Sequence, residues 1–356
     1  MSSIEFGIVG AGWRSEFYLR IARALPSRFR VSAVVVRNPE RRKAFEQTWG
    51  VRACASTEEL LQTAPSFVVT SVGWPANPPL LQELAAQGVS VLSETPPAPD
   101  LEGLRVVAAL TRQGARIQVA EQYWAQPHHQ ACSALIERGL LGRPTHAQVS
   151  VAHGYHGISL IRRFLGIGFE SPTISGKRFV APIVAGAGRQ GPPEREEVRD
   201  SEQDIIFLDW GDRLGVLDFT GDQYFGWIRN RRILIRGERG EIANDTVSYL
   251  KDFRTPMMAE LRRDITGANG DLDGFYLKGI QAGGEWAYRN PFVLAPLADD
   301  EIAIATCLVK MDEYVRTGQE FYPLAEACQD HYLSLLCQQA VGEGREIQAE
   351  PQEWAS

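Results

Sequence analysis

Residues 4–15 read Ile4-Glu5-Phe6-Gly7-Ile8-Val9-Gly10-Ala11-Gly12-Trp13-Arg14-Ser15. A short apolar run breaks into a glycine-bearing turn, and a helical pattern follows from Glu16 to Leu25. In such a turn Gly10 permits the sharp reversal. Gly12 lets backbone amides approach a pyrophosphate at the positive end of the helix. The third position, where close helix–strand packing usually asks for Gly or Ala, holds the small residue Ser15. A lone Gly-x-Gly is common; placed between a strand and a helix it becomes a dinucleotide signature.

Outward from this turn the same rhythm continues. Strand patterns at Val31–Val36, Phe67–Val72, Val89–Ser93 and Arg116–Ala120 alternate with helical ones at Pro39–Trp49, Leu80–Gln87 and Leu101–Arg112. That alternation predicts a Rossmann-type α/β domain, a doubly wound parallel sheet with helices on both faces. After residue 123 the rhythm changes. A helix at His128–Arg138, a strand at Thr145–Ala152 and a helix at Ile158–Leu165 precede strands at Ile205–Trp210, Leu214–Thr220 and Arg232–Arg236. Two helices, Asp300–Arg316 and Pro323–Val341, follow. Consecutive strands predict an α+β domain with a large, mainly antiparallel open sheet. The expected domains are 1–122 and 123–356, with the polar, charged stretch 188–204 as a solvated loop.

The chain has 356 residues, with 37 Lys+Arg against 44 Asp+Glu, a formal charge of −7. That balance offers no electrostatic attraction for nucleic acid or an anionic membrane. No apolar run approaches the ~20 residues of a membrane span. The N-terminus enters a strand directly, without a basic signal-peptide region. The five cysteines form no Cys-x-x-Cys, so reduced thiols in a cytoplasmic protein are expected.

The end of the second strand bears on the cofactor. An NAD site usually places Asp or Glu there for the ribose 2′-hydroxyl. Here the sequence is Val36-Arg37-Asn38-Pro39-Glu40-Arg41-Arg42, and Arg37 and Arg41 suit a 2′-phosphate instead. A solvated basic helix start is the competing reading.

Ile8–Ser15, the segment Val89–Pro96 containing Glu94-Thr95-Pro96, Val119-Ala120-Glu121-Gln122-Tyr123 and Ile136–Pro144 carry a resemblance. So do His156 with Leu160–Gly166, Ile235–Ile242 and the last helix. Together they resemble the Gfo/Idh/MocA oxidoreductases, the glucose–fructose and inositol dehydrogenase group. The resemblance implies a Rossmann domain, a substrate domain that pairs with other subunits, and hydride transfer between a nicotinamide and a sugar, polyol or related carbonyl/alcohol. Cofactor contacts are expected at Gly10, Gly12, Trp13, Arg14, Arg37, Asn38, Arg41, Trp74, Glu94 and Gln122. The family draws a catalytic lysine from a Glu-Lys-Pro motif and orients an acid/base His with an Asp four residues earlier. In this chain those positions are Thr95 and Ala152, and no lysine occurs between 44 and 176.

His156 keeps the acid/base position, with Tyr123, Thr95 and His153 as further catalytic candidates. Neutral imidazole is suited to passing a proton. Packing or helix capping would account for the same histidines. With Ala152 in place of the Asp, a backbone carbonyl or Tyr155 is left to hold the second ring nitrogen. No metal is expected, because His153 and His156 lack a third ligand at suitable spacing. His128 and His129 read as a solvated first turn. The expectation is an NADP-preferring oxidoreductase (NAD possible) acting on a small molecule as a homodimer or homotetramer. A nucleotide-binding sensor on the same scaffold and a nicotinamide-dependent lyase or glycosidase are the competing readings.

Overall fold

The strand–helix repeat closes into one six-stranded parallel sheet in a computed structural model describing residues 3–189, 191–225 and 227–355. Its strands are β1 (Ile4–Val9), β2 (Phe29–Val35), β3 (Ala53–Cys54), β4 (Phe67–Thr70), β5 (Val91–Ser93) and β6 (Ile117–Val119). They lie in the order β3-β2-β1-β4-β5-β6, so the order reverses between β1 and β4. Such a reversal opens a crevice beyond the carboxyl ends of the strands, where ligands bind in this fold class.

The helices of this half are α1 (Trp13–Ala24), α2 (Pro39–Trp49), α3 (Thr57–Leu61), α4 (Asn77–Ala86) and α5 (Leu101–Arg112). Alternation along the strands sends Phe6, Ile8, Phe67 and Val69 into one core, while Val9, Val68 and Val91 face the other. In the first core the sheet meets Tyr18, Leu19 and Ile21 of α1 together with Ile302, Leu308 and Met311. Those last three come from the far end of the chain, so a late helix completes the first sheet.

The later helices are α6 (Pro127–Glu137), α7 (Gly154–Leu165), α8 (Asp299–Thr317) and α9 (Leu324–Glu343). The second sheet has eleven strands: β7 (Pro144–Ser150), β8 (Thr173–Val184), β9 (Val198–Asp209), β10 (Leu214–Thr220), β11 (Arg232–Gly237), β12 (Gly240–Ala243), β13 (Thr246–Asp252), β14 (Thr255–Ile265), β15 (Leu277–Ala282), β16 (Glu285–Arg289) and β17 (Ile347–Gln348). The order is β16-β15-β14-β13-β12-β11-β7-β10-β9-β8-β17, antiparallel among the described residues except for β7 beside β10. One face buries Ile206, Leu208, Leu217 and Phe219 with Ile161 and Phe164 of α7 and Leu333 of α9. The fit is tight: a Cβ on Gly157 of α7 would lie 2.4 Å from Leu217 Cδ1.

The stretch 188–204 is not one loop. β9 begins at Val198 and pairs with β8 along its whole length, Val184 opposite Val198 and Thr173 opposite Asp209. Arg199, Glu202 and Asp204 hide the strand pattern because this part of the hairpin is solvated. Among the described residues no helix is long and apolar enough to cross a membrane. All five cysteines are free and buried.

Candidate active site

The glycine turn has the backbone that a nucleotide needs. Gly10 sits at φ +113°, and a Cβ there would lie 2.0 Å from the Ser71 carbonyl oxygen, so only glycine fits. Gly12 differs: at the N-cap of α1 it makes no side-chain cap, and a Cβ would meet nothing within 4 Å. The space over the Gly12 α-carbon is thus open, which a pyrophosphate approaching the start of α1 requires. Ser15 does more than stay small. Its hydroxyl donates to the Gly10 carbonyl at 2.9 Å and to Ser71 Oγ at 3.0 Å, tying the turn to the loop after β4. These residues fit a dinucleotide.

Arg41 Nη2 donates to the Ala11 carbonyl at 3.3 Å, so one predicted guanidinium lies against this turn. Arg37 is exposed, with no ion pair among the described residues. Asn38 serves the fold, since its Oδ1 accepts the Arg41 N–H at 2.9 Å and caps α2. Trp13 is half-exposed, with the Arg189 guanidinium 4.4 Å from its ring centre.

Beyond the turn, Arg14, Glu94 and Gln122 belong to one polar network centred on Asp300. Arg14 Nη1 donates to Asp300 at 2.9 Å and its Nε lies 3.7 Å from Glu94. The Tyr18 hydroxyl donates to Glu94 at 2.5 Å. The Gln122 and Gln126 amides donate to Asp300 at 3.3 and 3.4 Å. Burial opposes charge on Arg14, but Glu94 and Asp300 outweigh it and hold its pKa above the ordinary arginine value. Gln122 Oε1 is buried without a partner, an orphaned acceptor beside the cofactor crevice. Asp300, at the start of α8, has no counterpart in the reading of the sequence.

His156 is not left to a backbone carbonyl or to Tyr155. Its Nδ1 lies 2.6 Å from Glu121 Oε2, both side chains being almost wholly buried. Glu121 follows β6, and its Oε1 accepts the Tyr123 N–H at 3.0 Å, which fixes the carboxyl. A glutamate from the Rossmann edge therefore does what an aspartate four residues before His156 would have done. Burial pushes the Glu121 carboxyl up to about 8 and the His156 imidazole down to about 3. The pair is therefore neutral as a unit near pH 7 and titrates as one. Among the described residues Nε2 makes no hydrogen bond, and it is not sealed from solvent.

The rings around His156 complete the pocket. Tyr123 and Tyr155 lie 4.4 Å from it, centre to centre, and His153 5.1 Å. The helix starts earlier than the sequence suggests, with His153 at the N-cap of α7 and His156 inside its first turn. His153 Nδ1 bonds the Tyr224 hydroxyl, which also pairs with Tyr123. Burial raises the pKa of the Tyr155 hydroxyl, and nearby Thr95 opposes that rise. Trp74 lies 6.5 Å from Tyr155 and 6.3 Å from His331, on the His156 side of the crevice. His128 and His129 are not a solvated turn. His129 is buried with Nδ1 2.6 Å from the Tyr123 carbonyl, and His128 Nε2 pairs with Asp245 at 3.2 Å.

Residues 4–121 match the model of the oxidoreductase family with an NAD-binding Rossmann fold, GFO_IDH_MocA. No curated protein matches the chain. Among solved structures, an oxidoreductase from Agrobacterium radiobacter in complex with NAD+, L-tartaric acid and magnesium superposes with a TM-score of 0.67. It is 16% identical and covers 97% of this chain and 98% of its own. The WlbA dehydrogenase from Bordetella pertussis, in complex with NADH and UDP-GlcNAcA, has a TM-score of 0.64 at 18% identity, covering 98% and 100%. An apo scyllo-inositol dehydrogenase from Lactobacillus casei has a TM-score of 0.65 at 15% identity, covering 98% of each chain. At these identities the likeness establishes the two-domain fold along nearly the full length of the chain. The match to the oxidoreductase family thus lies within the Rossmann part of the chain, residues 4–121.

Proposed function

We propose that this chain is a nicotinamide-dependent oxidoreductase acting on a small sugar, polyol or related carbonyl/alcohol, with His156 moving the proton. The observation that carries this reading is the buried Glu121–His156 bond, which leaves Nε2 on the open side. The bound nicotinamide would supply or accept the hydride. The Gly10–Gly12 turn would hold its pyrophosphate, with Trp13, Arg14, Trp74, Glu94 and Gln122 along the crevice. NADP(H) is preferred to NAD(H), because Arg41 reaches the turn, Arg37 has no ion pair among the described residues and Val36 stands where a ribose-binding acid would. The ligands of the structural neighbours, nicotinamides with a hydroxy acid or a nucleotide sugar, support the substrate class.

In the neutral dyad Glu121 donates to Nδ1 and Nε2 carries the remaining proton, ready for a developing alkoxide. Giving it up leaves a Glu121 carboxylate bonded to Nδ1–H, ready to take a proton from a hydroxyl. Thr95 and Tyr155 offer neutral hydrogen bonds to the reacting oxygen. Without the motif lysine a contact commonly worth ~2.7–4 kcal/mol is missing, so chemistry rests on the dyad. The same reading has the protein work in the cytoplasm as a homodimer or homotetramer.

Calorimetry with NADP and NAD, and nicotinamide absorbance over a panel of polyols, sugars and hydroxy acids, test the proposal. The expected result is tighter NADP binding, selectively weakened by Arg41→Ala. His156→Ala should abolish turnover with cofactor affinity nearly unchanged. Full activity in His156→Ala would sink the proton-transfer role. Thr95 and Ala152 favour one alternative, a nucleotide-binding sensor, and NADP binding without turnover on any substrate would decide for it.

A further inference from the structure

A cavity of about 730 Å³ opens beside the His156 pocket, between the end of the β8–β9 hairpin and the segment after β10. Its lining includes Ile183, Val184, Ala185, Ala187, Phe225 and Trp227. The volume is that of a pocket for a drug-sized molecule, about 300–1,000 Å³. The cavity shares one wall with the candidate active site. Residues 221–224 form a single 3₁₀ turn: Tyr224 bonds His153 on one side, while Gly221 and Asp222, followed by Phe225, line the cavity on the other.

That wall is braced. Gln223 donates to the Ser150 carbonyl at 2.9 Å and to the Asn230 carbonyl at 2.7 Å, and its Oε1 accepts the Thr220 N–H at 3.0 Å. Asp222 is held by Ser201 and by an ion pair with Arg199 at the start of β9. On the far side the hairpin connection reaches the cofactor turn, where Arg189 lies over Trp13. Phe225 and Trp227 are nevertheless 42% and 68% exposed, leaving large rings at the cavity rim open to a ligand. Arg199 and Asp222 pair with each other, and Glu194, Arg195 and Glu196 of the hairpin connection also line the space.

We infer that this cavity is a subsite for an uncharged aromatic or apolar substituent of the substrate. The hydroxylated part would face His156 and the substituent would pack against Phe225 and Trp227. The inference rests on the oxidoreductase reading for the hydroxylated part, and it makes the substrate a conjugate rather than a free sugar. Apolar burial and ring stacking are the binding forces that Ile183, Val184, Phe225 and Trp227 offer.

The test needs no turnover, so its failure is distinct from that of the proton-transfer reading. Full-length protein is titrated calorimetrically with 2-naphthyl β-D-glucopyranoside and with methyl β-D-glucopyranoside. The naphthyl compound is expected to bind at least about tenfold more tightly. Phe225→Ser and Trp227→Ser, at exposed positions that do not threaten folding, should each remove most of that preference. Equal affinities, no binding by either compound, or a preference that survives both substitutions would overturn the inference. So would a preference that vanishes as light scattering shows the protein associating, since a second copy would then occupy the cavity.

Discussion

Glu121 and His156 are 35 residues apart in the chain and 2.6 Å apart in the molecule, and each decides what the other can do. Isolated, a buried imidazole resists protonation and a buried carboxyl resists ionisation. Together they share one proton, and burial raises the Glu121 carboxyl that holds it to about 8. The sign follows from the two directions of reaction. Reduction of a carbonyl needs the protonated dyad, so its kcat/KM should fall as pH rises through about 8. Oxidation of an alcohol needs the deprotonated dyad and should rise over the same range. Glu121→Gln keeps an oxygen that can accept from Nδ1–H but removes the titrating group. It should therefore cost about 10²–10⁴ in rate and abolish the step near pH 8, as measured by pH profiles of kcat/KM. A purely structural Glu121 would lower stability and leave the profile in place. His156 is legible in the sequence through its family position. Glu121 stands in a motif that carries the resemblance, but its partner is fixed only when the edge of β6 meets α7. Asp300 is illegible for the same reason, since Gln122, Gln126 and Arg14 converge on it across more than 170 residues.

At the scale of elements, legibility follows end signals and unbroken apolar patterns. α2, α5 and β10 have the bounds their patterns predict, because caps and apolar runs mark both ends: Asn38 and Gly50 for α2, Asp100 for α5. The outer strands β12 to β16 and most of β8 leave no such pattern. One of their faces is solvated, and exposed residues such as Lys177, Met258 and Arg262 break the alternation. The turn before α1 shows how one element serves two needs that can be separated by mutation. Gly10→Ala drives a Cβ into the Ser71 carbonyl at a backbone angle that disfavours side chains, so a lower melting temperature and loss of cofactor binding are expected together. Gly12→Ala meets no protein atom within 4 Å at an ordinary φ of −90°. Its methyl group would sit where a pyrophosphate approaches the amides of α1. Thermal unfolding should then be nearly unchanged while NADP affinity in calorimetry falls at least about tenfold. Unimpaired binding by Gly12→Ala would mean that the dinucleotide does not use this turn.

Across the whole molecule, the second sheet has two faces with different fates. α7 and α9 cover the face that carries Ile206, Leu208, Leu217 and Phe219, while α8 packs on the first sheet. The terminal helices therefore leave the opposite face uncovered. There Phe179, Ile205 and Phe207 are 56%, 36% and 43% exposed, beside a polar patch in which Gln148, Gln203 and Arg232 all bond Asp218. The sequence DIIFLDW suggests a strand apolar on both sides, and alternation splits it: Ile206 and Leu208 inward, Ile205 and Phe207 outward. A face with three large apolar side chains and an already satisfied polar centre loses little by desolvation and gains by burial. Stable pairing needs about 1,200–2,000 Å² of buried surface, which a sheet of this width can present to a second copy. Light scattering at micromolar concentration should give at least twice the 39.5 kDa chain mass. Phe207→Lys with Ile205→Glu should shift the protein to monomer with its circular dichroism intact, because both side chains already contact solvent. A wild-type mass of 39.5 kDa would show instead that the polar centre around Asp218 suffices to keep this face in water.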